Sequence, residues 1–147
     1  LDYTDQEALL VHQGGGSYTS FEAHQWAPKL DSNYFISARQ QFRLTLQWNS
    51  LKAFEDRFWQ VNPHRLESLK PVANPDNEPD DFVISRLTFQ ARYRWQIAPL
   101  SDLFVVYTRG SNLPGNSFYT FQDLLEQGWN DRIVDSFAIK LRYRFGI

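Results

Sequence analysis

The last eleven residues, Phe137-Ala-Ile-Lys-Leu-Arg-Tyr-Arg-Phe-Gly-Ile147, alternate without a break. Phe137, Ile139, Leu141, Tyr143, Phe145 and Ile147 share one face, and Ala138, Lys140, Arg142, Arg144 and Gly146 share the other. A period of two with a greasy face and a cationic face is a strand. Aromatic at alternate positions to its end, this strand reads as the closing strand of a transmembrane β-barrel.

The bulk numbers agree with that reading. Mean hydropathy is −0.51, and no run approaches the roughly 18 apolar residues that a spanning helix needs. A barrel hides its apolar residues by alternation, so a polar average is compatible with it. Aromatics at 16% suit two interfacial girdles. The absence of cysteine removes disulfides and thiol chemistry. A net charge of −2 argues against nucleic acid as a partner. The chain has no Met and opens on no charged segment followed by an apolar one, which reads as a mature or excised piece of a longer precursor.

Along the chain, residues 1–16 show no clear period and end in Gly14-Gly15-Gly16, read as a flexible N-terminal segment. A weak strand follows over Ser17–Trp26, then a turn over Pro28–Asn33 and a strand over Tyr34–Trp48. Residues 52–81 carry Pro63, Pro71, Pro75 and Pro79 among acids, a composition that resists pairing and predicts a long loop. Phe82–Ile97 alternates again, and Ala98-Pro99-Leu100-Ser101 turns the chain into a strand over Asp102–Arg109. Residues 110–135 make a second long connection, with a short helix over Phe121–Trp129 above Leu124 and Leu125. Outer-membrane barrels place long loops outside and short turns in the periplasm, and this order matches that rule. The pattern therefore predicts the C-terminal fragment of an all-β, antiparallel transmembrane barrel, residues 17–147, with five strands visible. Closure takes about eight, so the remaining strands belong to further sequence or another chain.

The cationic face comprises Arg39, Arg43, Arg86, Arg92, Arg94, Lys140, Arg142 and Arg144, with no acid alternating among them. Charges pointing into lipid at mid-depth cost about 2–4 kcal/mol each, so this face is expected to line the lumen. It would then meet anionic solutes, or pair with carboxylates of further strands or a plug, the commoner outcome. Leu44, Leu46, Leu87, Phe89, Ile139 and Leu141 are expected against lipid. Tyr93, Trp95, Tyr143 and Phe145 fall at one depth and Trp48 and Tyr107 near the other, as two aromatic girdles would.

Other chemistry is thin. Asp76, Glu78 and Asp80 have the first three spacings of a calcium loop, but Asp81 stands where such a loop needs Gly and no bidentate Glu follows. His12, His24 and His64 are scattered, and His64 with Glu67 makes no HExxH motif. Neither a Gly-x-Ser-x-Gly elbow nor a phosphate loop is present, so no metal, cofactor or catalytic residue is expected. Phe118, Tyr119, Phe121 and Trp129 offer rings for sugar stacking, although packing back onto the barrel is the more common use.

The stretches Ser37–Trp48 and Phe89–Arg109, with the ending Lys140-Leu-Arg-Tyr-Arg-Phe145, resemble the C-terminal region of large bacterial outer-membrane proteins. Those proteins join an N-terminal carbohydrate-binding family 9-like module to a barrel of unknown function. The likeness runs from about Tyr34 to Ile147; Ile147 departs from the more usual terminal Phe read by the barrel assembly machinery. It implies an outer-membrane location, that machinery and outer-membrane lipid as partners, and a role as anchor and channel of a carbohydrate-handling protein, with glycan as a further partner. The alternative is a soluble β-sandwich or small barrel that binds a glycan through its aromatic loops.

Overall fold

The computed structural model describes residues 2–61, 68–74, 80–115 and 118–145. Among these residues eight strands and one helix run in the order β1 (Asp2–Gly14), β2 (Ser17–Ala27), β3 (Lys29–Ser37), β4 (Gln40–Gln60), β5 (Lys70–Val72), β6 (Phe82–Ala98), β7 (Ser101–Gly115), α1 (Phe121–Asn130) and β8 (Val134–Arg142). All pairings are antiparallel and the strands form one sheet, curled as half a barrel. Among the described residues no helix is long and apolar enough to cross a membrane.

The 21-residue β4 organises the sheet. On one edge it takes β2 along Ser50–Gln60 and β3 along Gln40–Gln47. These two strands are one course, interrupted at Pro28. Proline has no N–H to give, but its carbonyl still accepts the Trp48 N–H at 3.1 Å. The expected turn over Pro28–Asn33 is therefore a strand. On its other edge β4 takes β6 along Gln40–Ala53 and β5 along Phe58–Gln60. With these pairs joined, the sheet is a meander of six courses, each beside its neighbours in sequence.

The segment expected to be flexible is a strand. β1 pairs with β2 from Asp2 to Gly14, and Gly15 and Gly16, at φ 58° and 84°, make the two-residue turn between them. Register shifts between Gln6 and Leu9 and between His12 and Gly14 break its alternation, which is why the sequence shows no period there. The turn at Pro99-Leu100 lies where expected, with Leu100 at φ 62°, a left-handed position unusual for a residue with a side chain. The two long connections are shorter than their composition suggests, because β4 continues to Gln60 and β7 to Gly115.

Pairing sorts the side chains into two faces. In the half of the sheet nearest the Pro99-Leu100 turn, one face carries the rows Tyr34–Phe42–Tyr93–Val105–Ile139 and Leu44–Ala91–Tyr107–Phe137. The opposite face carries Asn33–Arg43–Arg92–Val106–Ala138 and Gln41–Arg94–Phe104–Lys140. The core lies further along the apolar face, where Trp48, Val83, Leu87 and Leu124 of α1 are buried, with Trp26, Leu46 and Phe121 around them. Burying a Leu of this kind stabilises by about 1.5–3 kcal/mol.

Candidate functional site

α1 docks because its ends and its face are both specified. Thr120 caps it: the Asp123 N–H donates to the Thr120 hydroxyl at 3.2 Å, and the Thr120 N–H donates to the Asp123 carboxylate at 2.8 Å. Hydrogen bonds from the Thr120 hydroxyl, then from its N–H, hold the Asp123 carboxyl below its ordinary pKa; Lys52 adds to this and desolvation opposes it. One turn on, Leu124 is buried and Leu125 is half-exposed. Gly128 admits close approach, since a Cβ there would stand 3.3 Å from the Ser111 hydroxyl and 3.5 Å from Leu87. Beneath the helix the Trp48 indole N–H donates to the Ser85 hydroxyl at 3.0 Å, and that hydroxyl donates to the Leu124 carbonyl at 3.2 Å. A buried chain of this kind leaves no member short of a partner, which is what makes it stabilising.

This docking corrects two assignments. Leu87, expected against lipid, is 1% exposed under α1, and Trp48, expected in a girdle, is 5% exposed in the same core. Tyr107 also lies away from the expected edge, in the mid-face row with Leu44, Ala91 and Phe137. Phe89 is half-buried against Trp129 and Tyr107. Ile139 and Leu141 stand open at about 60%, and Leu44 and Leu46 are half-exposed. Trp95 is exposed at the turn end, where Tyr93 lies one row inward, and the Tyr143 and Phe145 rings pack at 4.8 Å just past β8.

Five of the eight expected cations gather on one face in adjoining rows: Arg43, Arg92, Arg94, Lys140 and Arg142. Arg43 and Arg92 are direct cross-strand partners, as are Asp102 and Arg142. Arg94 meets Asp102 at 3.0 Å. The other three lie elsewhere. Arg39 sits in the two-residue turn between β3 and β4, its carbonyl accepting the Gln96 N–H, so it belongs to neither face. Arg86 lies in a row beyond this cluster, its side chain donating to Asn112 at 3.4 Å. Arg144 lies past the end of β8, where its N–H donates to the Ser101 hydroxyl at 3.1 Å. Several neutral side chains of this face pair across strands, Gln41 donating to Asn33, Thr45 to Asp31 and Gln90 to Thr108.

A hollow of about 540 Å³ opens on this face, lined by Gln41, Arg43, Arg92, Arg94, Phe104, Val106, Ala138 and Lys140 among others. The alternation gave the cations; the floor of Phe104, Val106 and Ala138 was missed. The signal for it was present in Asp102–Arg109, a strand apolar on both faces where its neighbours are apolar on one.

Of the aromatic loop, Phe121 packs against Trp26 and Trp48, with the Lys52 ammonium 5.4 Å from its ring, and Trp129 packs against Phe89. Phe118 is 90% exposed and Tyr119 39%. Arg109, which sequence reasoning passed over, breaks the apolar face in the row of Phe89 and lies 4.8 Å from the Trp129 ring.

The calcium-like positions Asp76 and Glu78 lie outside the described residues, as do His64, Glu67, Ser117 and Ile147. Asp80 accepts from Gln13, and Asp81 accepts from the Glu55 N–H at 2.8 Å. The Glu55 carboxylate in turn accepts from Asn74 and from the Asp80 N–H. Among the described residues no group of three His, Cys, Asp or Glu could hold a metal.

No family model, no curated protein and no solved structure matches this chain.

Proposed function

We propose that the chain is a stretch of outer-membrane β-barrel wall, the C-terminal part of a barrel that anchors a carbohydrate-binding envelope protein and passes anionic solutes along a cationic lumen. The carrying observation is the division of the faces. On β6, the side chains from Leu87 to Trp95 alternate between an apolar face and one bearing Arg92 and Arg94. That is nine residues, and β8 has nine as well. A strand crosses a bilayer in about 9–11 residues. α1 lies over one end of this belt, where it covers Leu87 and packs Trp129 on Phe89 in place of lipid. Lipid against the apolar face would meet one cation, Arg109, which lies over the Trp129 ring, whereas reversing the wall would bury five cations in hydrocarbon.

β1 and β8 end the sheet, and unpaired edge amides are not tolerated in lipid. Further strands, from the same protein or another chain, complete the wall, and the barrel assembly machinery inserts it. The link to carbohydrate rests on the resemblance of Tyr34–Ile147 alone.

A second reading is favoured by α1 itself. A soluble sheet would also roof its apolar face with a helix, and Phe118, 90% exposed, would present its ring to a glycan. Membrane fractionation of the expressed chain, followed by electrophoresis in detergent with and without heating, separates the two. Outer-membrane recovery with a heat-dependent mobility shift is expected. Recovery as a monodisperse protein without detergent would overturn the barrel and leave the glycan-binding sheet.

A further inference from the structure

We infer that the hollow on the cationic face is a binding site for an amphiphilic oxyanion, a carboxylate or phosphate monoester carried on an apolar body. The hollow is formed by β4, β6, β7 and β8 alone, so it does not depend on the sheet closing around a lumen.

Three observations converge on that chemistry. Arg43 and Arg92 face each other directly across β4 and β6. Like charges so placed destabilise a sheet, and among the described residues neither guanidinium has a hydrogen bond or ion pair to offset this, Asp31 acting on Arg43 only at longer range. The second observation concerns carboxylates. Asp31, one row away, is held by Lys29 at 3.1 Å and by Thr45 at 2.9 Å, and Asp102 is held by Arg94. Among the described residues Arg43, Arg92 and Lys140 make no ion pair. A guanidinium presents a planar fork that fits a carboxylate or phosphate edge with two hydrogen bonds. The third is the floor, Phe104, Val106 and Ala138, which gives an apolar body a dry surface between the cations. A bare inorganic anion would leave that floor wet, and a neutral apolar molecule would leave the guanidinium pair opposed.

The test is a titration of the full chain, in dodecyl maltoside or in buffer according to how it is recovered, with 2-naphthoate. The neutral 2-naphthylmethanol and the bare anion acetate serve as comparisons. Saturable binding of naphthoate to one site is expected, with acetate much weaker. The R43Q/R92Q double variant should weaken naphthoate about tenfold or more, as loss of a charge-assisted pair would, and leave naphthylmethanol unchanged. Arg92→Lys, which keeps the charge and loses the fork, covers the case in which the double variant does not fold, and should weaken naphthoate measurably. Equal affinity for naphthoate and naphthylmethanol, unaltered naphthoate binding in the variants, or no saturable binding would each overturn the site. The mobility shift judges the barrel separately, so either can fail alone.

Discussion

The ring of Trp129 meets the ring of Phe89 edge-on, with centroids 5.5 Å apart at 72°. This contact joins the last turn of α1 to the apolar face of β6, and the Arg109 guanidinium, 4.8 Å from the same indole, completes it. An aromatic pair of this geometry contributes about 0.5–1.5 kcal/mol beyond its buried area. Trp129→Ala should therefore lower stability by about 1–2 kcal/mol, read as an earlier denaturant midpoint. A Trp129→Phe variant should recover most of the loss; if it recovers none, the ring contact is not what holds the helix.

The helix is pinned more firmly at Leu124. Removing a fully buried Leu costs about 2–5 kcal/mol, and Leu124 is 1% exposed against Val83, Leu87 and Trp48. Leu124→Ala should produce a loss in this range, while Leu125→Ala, at a half-exposed position one residue on, should cost well under half as much. Equal losses would mean that α1 does not dock through the face described.

The cap makes the docking pH-sensitive. Asp123 has a folded-state pKa below its unfolded value, so its contribution is complete above the unfolded value near 3.8 and is lost as pH falls through the lower folded value. Trp129 emission should shift red in mild denaturant as the solution is taken below about pH 4. Asp123→Asn should flatten that dependence. Thr120→Ala should cost about 1 kcal/mol at neutral pH.

Position 100 is strained. Leu100 sits at φ 62°, where a side chain costs about 1–2 kcal/mol relative to the right-handed region and Asn is better tolerated. Leu100→Asn should raise stability by up to about 1 kcal/mol, read as a later denaturant midpoint. A fall would mean that the half-exposed Leu100 side chain contributes more than its backbone loses.

The barrel reading makes a demand on opposite faces of one strand. Ile139 belongs to the apolar face and Ser136 to the polar one. Ile139→Arg should block insertion, with a penalty of about 2–4 kcal/mol near mid-depth, and Ser136→Arg should be tolerated. Equal recovery of both variants in the outer-membrane fraction would refute the orientation.

What the sequence revealed was the part governed by period two. Phe42 to Trp48, Leu87 to Ile97 and Phe137 to Arg142 alternate because one face of each is apolar, and the structure places all three in strands with those faces. β1 stayed hidden because two register shifts erase its period, and β3 because Pro28 and the polar Asp31-Ser32-Asn33 resemble a turn. Trp48 and Leu87 were placed on the correct face but against the wrong neighbour. The alternation names the face, and only the docking of α1, twenty or more residues away in sequence, decides what covers it. The hollow was half legible for a related reason: its cations alternate along single strands, while its floor is assembled from β7 and β8 across the sheet.

Among the described residues β4 is the only strand paired with four others, β2 and β3 along one edge and β5 and β6 along the other. Without it the β1–β2 hairpin and the β6–β7–β8 ribbon would share no edge, and β3 and β5 would have no strand to lie against. The molecule is thus two hairpin ribbons held on a single spine: the sheet hydrogen bonds that join its halves all run to the backbone of one segment of 21 residues, and side-chain contacts such as Trp26 on Phe121 add to them.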